Sequence, residues 1–411
     1  MLICSMRKTI LFIGLVWPEP TSSAAGWRML QLVDLFLSHG YKITFASAAS
    51  KSEFSFPLQE KDVQEIEIKL NDSSFDEIIK ELNLEIVLFD RFMVEEQYSW
   101  RVAQNCPDAI RILDTEDLHF VRQGRQNAYK KGIELDDSLL YSDLAKRELA
   151  AIYRSDLSLI ISAFEMNLLQ EEFNVPKSLL CYLPFQVLHN QEQSNYGFED
   201  REHFTFIGNF LHEPNWKTVQ VIKELWPSIR KRLPEAEMHI YGAYPTEKVW
   251  QLNQPKQGFR IMGRADHAIE TLKKYRVLFA PIPFGAGLKG KFIDALYAGI
   301  PSVSSKVGAE AMFLNQEWPG TIANTTEELI DAATALYQDS AAWNTASKTA
   351  EKILKSLIDP NWGMEFLTQI ENLETDLNRL RRKNMVGQIL WSNQFLASKY
   401  LSQWIEEKNK K

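Results

Sequence analysis

Cysteine is scarce in this chain of 411 residues. The three cysteines, Cys4, Cys106 and Cys181, lie far apart and form no CxxC or Cys/His spacing. A zinc motif needs such a spacing, and an odd, scattered set does not make a disulfide framework. The sequence therefore excludes a disulfide-stapled fold and a cysteine zinc site, and it favours a reducing, cytoplasmic location.

Long hydrophobic runs are also missing. No apolar run approaches the roughly 20 residues that a membrane-spanning helix needs. The run TILFIGLVW near the start is too short, and it ends in WPEP rather than in a small-residue cleavage site. We therefore expect no membrane span, while peripheral contact of the surface with a membrane stays open.

Positive charge is not in excess. The formal net charge is −8, and the 46 Lys and Arg residues are scattered rather than gathered in a stripe, which argues against a nucleic-acid binder. No DxD triplet offers a metal-chelating pair, and no GKS or GKT completes a Walker phosphate loop. We therefore expect neither a bound metal nor a cofactor.

What the sequence does contain is an alternation of buried strands and helices. The chain is longer than one core usually supports, so two domains are expected. A helix is predicted at 27–39. In the first half, short apolar runs predict strands at 9–15, 41–47, 85–90, 109–114, 157–162 and 178–185. Strands that are apolar on both faces and separated by helices indicate a parallel sheet covered on both sides.

The alternation stops in a polar stretch and then restarts. Strands are predicted at 203–210, 237–243, 259–265, 277–284 and 301–305, with a helix at 215–232. The expected fold is α/β with two doubly wound, Rossmann-like domains. Their predicted bounds are 1–185 and 203–361, joined by a linker at 186–202 and followed by a helical tail at 362–411. The tail either packs back on the body or forms a basic amphipathic surface for a membrane or a partner.

The stretch GAGLKGKFIDALYAG follows a predicted buried strand and opens a helix. Gly285 and Gly287 allow positive φ, and Lys289 and Lys291 place two ammonium groups at the helix N-terminus. This combination suits a diphosphate. Two alternatives stay open: a tight turn with both lysines in solvent, or a GxGxxG dinucleotide site with Glu310 about twenty residues on.

Four blocks in order carry a resemblance to a known family. They are FTFIGNFLHEPN, ELWPSIRKRLPEAEMHIYG, RIMGRAD and APIPFGAGLKGKFIDALYAGIPSVSSKVGAEAM, between 204 and 312. This region resembles the C-terminal domain of GT-B glycosyltransferases, in particular the retaining family-four type with a glycine-rich turn. The resemblance implies a nucleoside diphosphate sugar as donor, bound by the second domain, and an acceptor bound by the first, with the reaction in the cleft between them.

The resemblance also implies roles for residues. Lys289 and Lys291 contact the donor diphosphate, and Asp294 holds the ribose hydroxyls. Ala286 departs from the pattern, because many retaining members have a glutamate there, near the donor sugar. Glu310 either reaches the donor sugar or is an exposed glutamate near a helix start.

A second donor-side loop is GNFLHEPN. By the resemblance, Gly208, Asn209 and Asn215 lie beneath the donor phosphates. The alternative for Asn215 is that it serves as a helix N-cap, since Asn is among the best capping residues.

In the first half, polar residues follow two strands. Gly26 and Arg28 are expected on the acceptor side of the cleft, and Ser22 or Ser23 is an alternative cap for the next helix. Glu116, Asp117 and His119 follow the strand that ends at Asp114, and Glu116 and Asp117 are likewise expected on the acceptor side. His119 is our first choice for orienting or deprotonating an acceptor hydroxyl. The alternative is a solvated loop in which Thr115 or Asp117 caps a helix.

These observations predict a metal-independent enzyme in which Lys289 and Lys291 stabilise the leaving diphosphate. The resemblance further implies a hexosyltransferase-like reaction that transfers the sugar with retention. The acceptor is a glycan, lipid or protein, and the product belongs to polysaccharide or glycoconjugate synthesis. Two alternatives stay open. One is a nucleotide-sugar epimerase, and the other is a non-catalytic nucleotide-binding or scaffold protein of the same fold.

Overall fold

The computed structural model describes residues 8–187, 196–313, 316–358 and 361–410. Cys4, Lys411 and residues 188–195 of the predicted linker lie outside these residues. The described residues form two parallel sheets, one in each half of the chain.

The first sheet is built from seven strands within the described residues, in the order β3-β2-β1-β4-β5-β6-β7. The strands are β1 (Thr9–Gly14), β2 (Lys42–Ser47), β3 (Gln64–Glu67), β4 (Ile86–Asp90), β5 (Ile110–Asp114), β6 (Leu157–Ile160) and β7 (Leu180–Tyr182). The helices are α1 (Ala24–Ser38), α2 (Ser74–Leu82), α3 (Phe92–Asn105), α4 (His119–Lys131), α5 (Asp137–Leu140), α6 (Asp143–Arg154) and α7 (Ala163–Asn167).

The second sheet has six strands in the described part of the chain, in the order β10-β9-β8-β11-β12-β13. The strands are β8 (Glu202–Ile207), β9 (Met238–Tyr241), β10 (Phe259–Gly263), β11 (Tyr275–Ala280), β12 (Ser302–Ser304) and β13 (Gly320–Ile322). The helices are α8 (Glu213–Arg232), α9 (Glu247–Trp250), α10 (Ala268–Leu272), α11 (Gly290–Ala298), α12 (Lys306–Ala309), α13 (Thr326–Gln338) and α14 (Ser340–Leu357). Short 3₁₀ turns lie at Leu58–Lys61, Lys177–Leu179 and Pro255–Gln257, and a π turn lies at Leu168–Glu172.

The predicted α/β architecture with two doubly wound sheets is confirmed. Strand β4 is buried at all five positions and has helical layers on both sides, as a parallel sheet requires. Strands β3 and β13 were not predicted. Both are short edge strands with partly exposed residues, so neither forms the continuous apolar run that marks a central strand.

The tail consists of two helices, α15 (Asn361–Lys383) and α16 (Met385–Asn409). Phe366, Ile370 and Leu373 of α15 are buried in the core between α1 and the first sheet. Arg381 then donates to the Asp156 carboxylate at 2.7 Å. The chain therefore returns from the second domain and completes the core of the first.

The strand orders reverse direction once in each sheet. In the first sheet the chain leaves β1 towards β2 and comes back on the other side at β4, and β8 and β11 have the same relation in the second. Loops after such neighbouring strands diverge and leave a crevice at the carboxyl edge, where ligands of open α/β sheets bind.

Candidate active site

A cavity of about 1010 Å³ lies between the carboxyl edges of the two sheets. Loops that follow β1, β4, β5, β8 and β11 contribute to its wall, so both crevices open into it. The predicted site residues that line this inter-domain cavity are Glu116, Asp117, His119, Gly208, Asn209, Asn215, Gly285, Lys289, Lys291 and Asp294. The predicted residues that do not line it are Gly26, Arg28, Gly287 and Glu310.

The glycine-rich turn joins β11 to α11. Gly287 has φ +60° and packs so tightly that an added Cβ would lie 2.7 Å from the Cβ of Asp117 in the first domain. Gly285 is not in the positive-φ region, so the expectation of positive φ holds for Gly287 only. Helix α11 follows directly, and no described side chain caps its N-terminus. Its free N–H groups and positive end therefore remain available.

Lys289 and Lys291 lie at this helix N-terminus. Lys289 is only 8% exposed, and its Nζ donates to the Gly287 carbonyl at 2.9 Å. Lys291 Nζ donates to Oδ1 of Asn215 at 3.0 Å. Burial lowers the pKa of each to about 8, and the charge of Lys289 adds to the effect on Lys291. Among the described residues, neither ammonium group forms an ion pair with a carboxylate, so both are poised to bind an anion.

Asp294 lies one turn further along α11. It lines the inter-domain cavity, and burial raises its pKa to about 7, against the opposing charge of Lys291. Ala286, in the turn itself, also lines the cavity. Its methyl group cannot hydrogen-bond to a sugar, so any contact with the donor sugar must come from other side chains.

The loop after β8 is fixed by Asn215. An added Cβ at Gly208 would lie 2.6 Å from Cγ of Asn215, and Nδ2 of Asn215 donates to the Asn209 carbonyl at 2.9 Å. The alternative that Asn215 caps the helix is wrong, because α8 begins at Glu213 with His212 as its N-cap. Asn215 instead holds its own loop and, through Oδ1, the Nζ of Lys291.

Arg28 does not line the cavity, so its predicted place on the acceptor side is wrong. Its guanidinium is 1% exposed and pairs with the Asp114 carboxylate at 2.9 Å, while a second nitrogen donates to the Leu183 carbonyl at 2.7 Å. This buried pair joins α1 to the end of β5. Arg28 therefore has no free donor edge directed at a ligand.

Gly26 also serves the packing of α1. An added Cβ would lie 2.5 Å from the Glu19 carbonyl oxygen, so glycine lets the preceding loop cross the helix closely. Its N–H donates to Oγ of Ser23 at 3.1 Å, and Ser23 is the N-cap. The alternative that a serine caps this helix is confirmed.

Glu116 and Asp117 meet the cavity at the end of β5. Glu116 has φ +60°, and burial together with the Asp114 carboxylate raises its pKa to about 8. Its Oε1 has no hydrogen-bond partner among the described residues. Asp117 is different. Burial acts to raise its pKa, but the ion pair with Arg122 outweighs burial and holds the pKa below the usual range.

His119 is the first residue of α4 and lines the cavity. Its Nδ1 lies 3.6 Å from Oε1 of Glu148 and has no hydrogen-bond partner within the described part of the chain. The alternative of a Thr115 or Asp117 cap is wrong. The Glu148 carboxylate instead accepts from the His119 N–H at 3.1 Å and holds the start of the helix.

Arg125 and Glu165 of the first domain make polar contacts with the second domain that were not predicted. Arg125 pairs with both oxygens of Glu310, at 2.8 and 2.9 Å, and also donates to the Gly285 carbonyl at 2.8 Å. Glu310 directly follows the end of α12, so the expectation that it lies near a helix start is wrong. Its carboxylate is held by Arg125 of the first domain. Glu165 accepts from the N–H of Gly287 at 2.8 Å and of Leu118 at 3.0 Å, again joining the domains.

Arg91 was missed as well. It lines the cavity directly after β4, has φ +72°, and lies 3.3 Å from the Asp90 carboxylate. The signal was present, because Asp90 and Arg91 are the first charged residues after the apolar run 86–89 of β4. A polar pair at a strand end in a parallel sheet predicts a residue at the ligand-binding edge.

A matching family model covers most of the second domain. Residues 201–339 match the family model described as Glycosyl transferases group 1. No curated protein sequence matches the chain. In the described residues, no helix is long and apolar enough to cross a membrane.

Solved structures resemble nearly the whole chain. Sucrose-phosphate synthase from Thermosynechococcus elongatus has a TM-score of 0.67 at 14% identity, covering 89% of this chain and 99% of that one. The pneumococcal O-GlcNAc transferase GtfA, solved with UDP and GlcNAc, has a TM-score of 0.68 at 12% identity, and the match covers 90% of this chain and 99% of that one. Anabaena HepE, solved with UDP and glucose, has 0.65 at 14%, covering 89% and 100%. The predicted GT-B fold with its helical tail is thereby confirmed.

Proposed function

We propose that this protein, a GT-B fold whose second domain belongs to the glycosyl transferases of group 1, transfers a sugar from a nucleoside diphosphate sugar to an acceptor hydroxyl. One observation carries the proposal: an uncapped helix N-terminus with two ammonium groups, neither in an ion pair among the described residues, faces a cavity between two doubly wound domains. Backbone N–H groups and lysines at a helix start form a ready anion site.

The second domain binds the donor. Lys289, Lys291 and the N-terminus of α11 hold the diphosphate and stabilise the negative charge that grows on it as the sugar leaves. Asp294 accepts hydrogen bonds from the ribose hydroxyls. Because three groups of this protein supply positive charge at the leaving group, the reaction proceeds without a divalent ion.

The first domain presents the acceptor. His119 and Glu116 line the opposite wall of the cavity, and each has a polar atom without a hydrogen-bond partner among the described residues. His119 orients the acceptor hydroxyl and takes up its proton. The acceptor is a glycan, lipid or protein, the sugar is transferred with retention, and the product enters polysaccharide or glycoconjugate synthesis.

The first experiment is thermal unfolding with a panel of nucleoside diphosphates, the corresponding sugars and NAD. UDP comes first, because GtfA and HepE were each solved with it. A ligand at a hundred times its Kd adds about 2.7 kcal/mol to stability. We expect one nucleotide to raise Tm in the natural protein and not in Lys291→Ala. No shift with any nucleoside diphosphate or sugar would contradict the proposal.

Turnover separates the enzyme from an epimerase of the same fold. We expect release of nucleoside diphosphate to depend on an added acceptor. Conversion of the donor sugar to its epimer without any acceptor would instead identify the epimerase.

A further inference from the structure

A second cluster of functional side chains lies far from the inter-domain cavity, at the amino-terminal edge of the second sheet. His203 is the second residue of β8, Glu237 immediately precedes β9, and His239 is its second residue. Phe204 pairs with Met238, so the side chains of His203, Glu237 and His239 project from the same face of neighbouring strands. One nitrogen of each imidazole and one oxygen of the carboxylate all lie within 4.8 Å of one another.

The orientation of His239 is set by other side chains. Its Nδ1 lies 2.8 Å from the hydroxyl of Tyr275, which in turn lies 2.8 Å from the hydroxyl of Tyr241. This leaves Nε2 directed at Oε2 of Glu237, also at 2.8 Å. Histidines that bind metals are held in this way, with one ring nitrogen hydrogen-bonded to the protein and the other directed at the ion.

His203 adopts a backbone conformation that is unfavourable for its side chain. Its φ is +62°, in the left-handed region, and its N–H donates to the hydroxyl of Tyr337 at 3.2 Å. In this conformation the centroid of the His203 ring lies 5.2 Å from that of the His239 ring. A strained residue that persists beside convergent polar groups suggests a functional constraint.

Solvent can reach the cluster. The side chains of His203, Glu237 and His239 are 26%, 21% and 12% exposed. A cavity of about 280 Å³ opens over the two histidines and is also lined by Asp200 and Glu202. A fourth ligand, either water or one of these carboxylates, therefore has room to approach.

We propose that His203, Glu237 and His239 bind a divalent transition metal, with Zn²⁺ as the first candidate. Two imidazoles and a carboxylate, completed by water, are a donor set that zinc uses in proteins. The site links the starts of β8 and β9 and stabilises the second domain, at the edge opposite the donor. Arg260 now holds the Glu237 carboxylate at 2.7 and 2.9 Å, so it competes with the metal for this ligand.

The test is zinc binding by calorimetry, together with Tm in ZnCl₂ and in EDTA, on the full chain. We expect His203→Ala and His239→Ala each to lower zinc affinity at least tenfold and to lose the rise in Tm. His39→Ala is the matched control, since His39 lies at the exposed end of α1, and it should bind zinc like the natural protein. If His203→Ala and His239→Ala bind zinc as tightly as the natural protein does, the proposed site is wrong.

Arg260→Ala keeps the test decisive if a histidine variant fails to fold. Removing the guanidinium frees the Glu237 carboxylate, so zinc affinity should rise severalfold. Weaker zinc binding by Arg260→Ala overturns the role of Glu237. In all variants UDP should shift Tm as in the natural protein, because the cluster lies at the other edge of the sheet.

Discussion

The two carboxyl edges that face each other across the inter-domain cavity carry charge in opposite ways. At the first edge, acidic and basic groups neutralise one another, with Arg28 buried against Asp114 and Arg122 paired with Asp117. At the second edge, Lys289 and Lys291 bond only to a carbonyl and an amide oxygen, among the described residues. The arginines named at the first edge therefore already have their counter-ions, whereas the two lysines at the second edge have none among the described residues.

This difference separates stability from binding. A buried charge whose counter-ion is removed destabilises the folded state, so changes to the Arg28–Asp114 pair should act mainly on unfolding. Burial makes the positive charge of the second edge costly, as the lowered pKa of both lysines shows, and the diphosphate that we propose as ligand would relieve that cost. Changes there should act on the ligand and on turnover.

Breaking the first edge should have the largest effect. Arg28→Met keeps much of the side-chain volume but leaves Asp114 buried without its guanidinium. We expect a loss of about 3–5 kcal/mol in the free energy of unfolding, measured by urea denaturation. The double variant Arg28→Met/Asp114→Leu should recover part of it. A stability within about 0.5 kcal/mol of the natural protein would show that this pair is not a structural element.

Lys291→Ala breaks the second edge. Loss of this ammonium group removes stabilisation of the leaving diphosphate, and turnover should fall roughly a hundredfold or more. The free energy of unfolding should not fall, because a buried charge without a counter-ion is removed. Lys248→Ala, on the exposed face of α9, is the control and should keep full turnover. Undiminished turnover in a folded Lys291→Ala would exclude the diphosphate role.

The pH dependence of nucleotide binding sharpens the comparison. Burial lowers the pKa of Lys289 and of Lys291 to about 8, and the proposed diphosphate should raise both. Binding therefore takes up protons above pH 8, and affinity should fall by about fivefold per lysine between pH 8 and pH 9. Calorimetry with UDP from pH 7 to 9.5 measures this. Lys291→Ala should halve the slope, and a flat profile in the natural protein would contradict the assignment.

The smallest change is expected at Asp294. Replacing it by Asn keeps the shape but weakens acceptance from two ribose hydroxyls, so the donor KM should rise about fivefold with little change in kcat. Steady-state kinetics with varied donor separate the two constants. An unaltered KM would remove Asp294 from the nucleotide site.

The sequence predicted the central strands well, because β1, β4 and β5 are short, mostly apolar runs that are buried almost throughout. It also predicted the turn after β11, where glycines and lysines interrupt the alternation. The edge strands β3 and β13 could not be predicted in this way, since an edge strand needs no continuous apolar run.

Partners across the fold were harder to predict than the site's location. Arg28 follows a strand end in the sequence, but only the packing of α1 turns it inward to Asp114. Likewise, Glu310 meets Arg125 across the domain interface, and His203 and His239 come together through strand pairing. No local pattern marks these pairs, because each joins residues that are distant in the chain.

The return of α15 to the first sheet also bears on synthesis at the ribosome. Phe366, Ile370 and Leu373 belong to the core that includes β1, so this core joins a strand translated before the second domain to a helix translated after it. The first domain therefore cannot complete its core before the second has been translated. Nascent chains halted at residue 358 should remain protease-sensitive in the first domain. The tail therefore determines when the first domain can finish folding, in addition to packing against it.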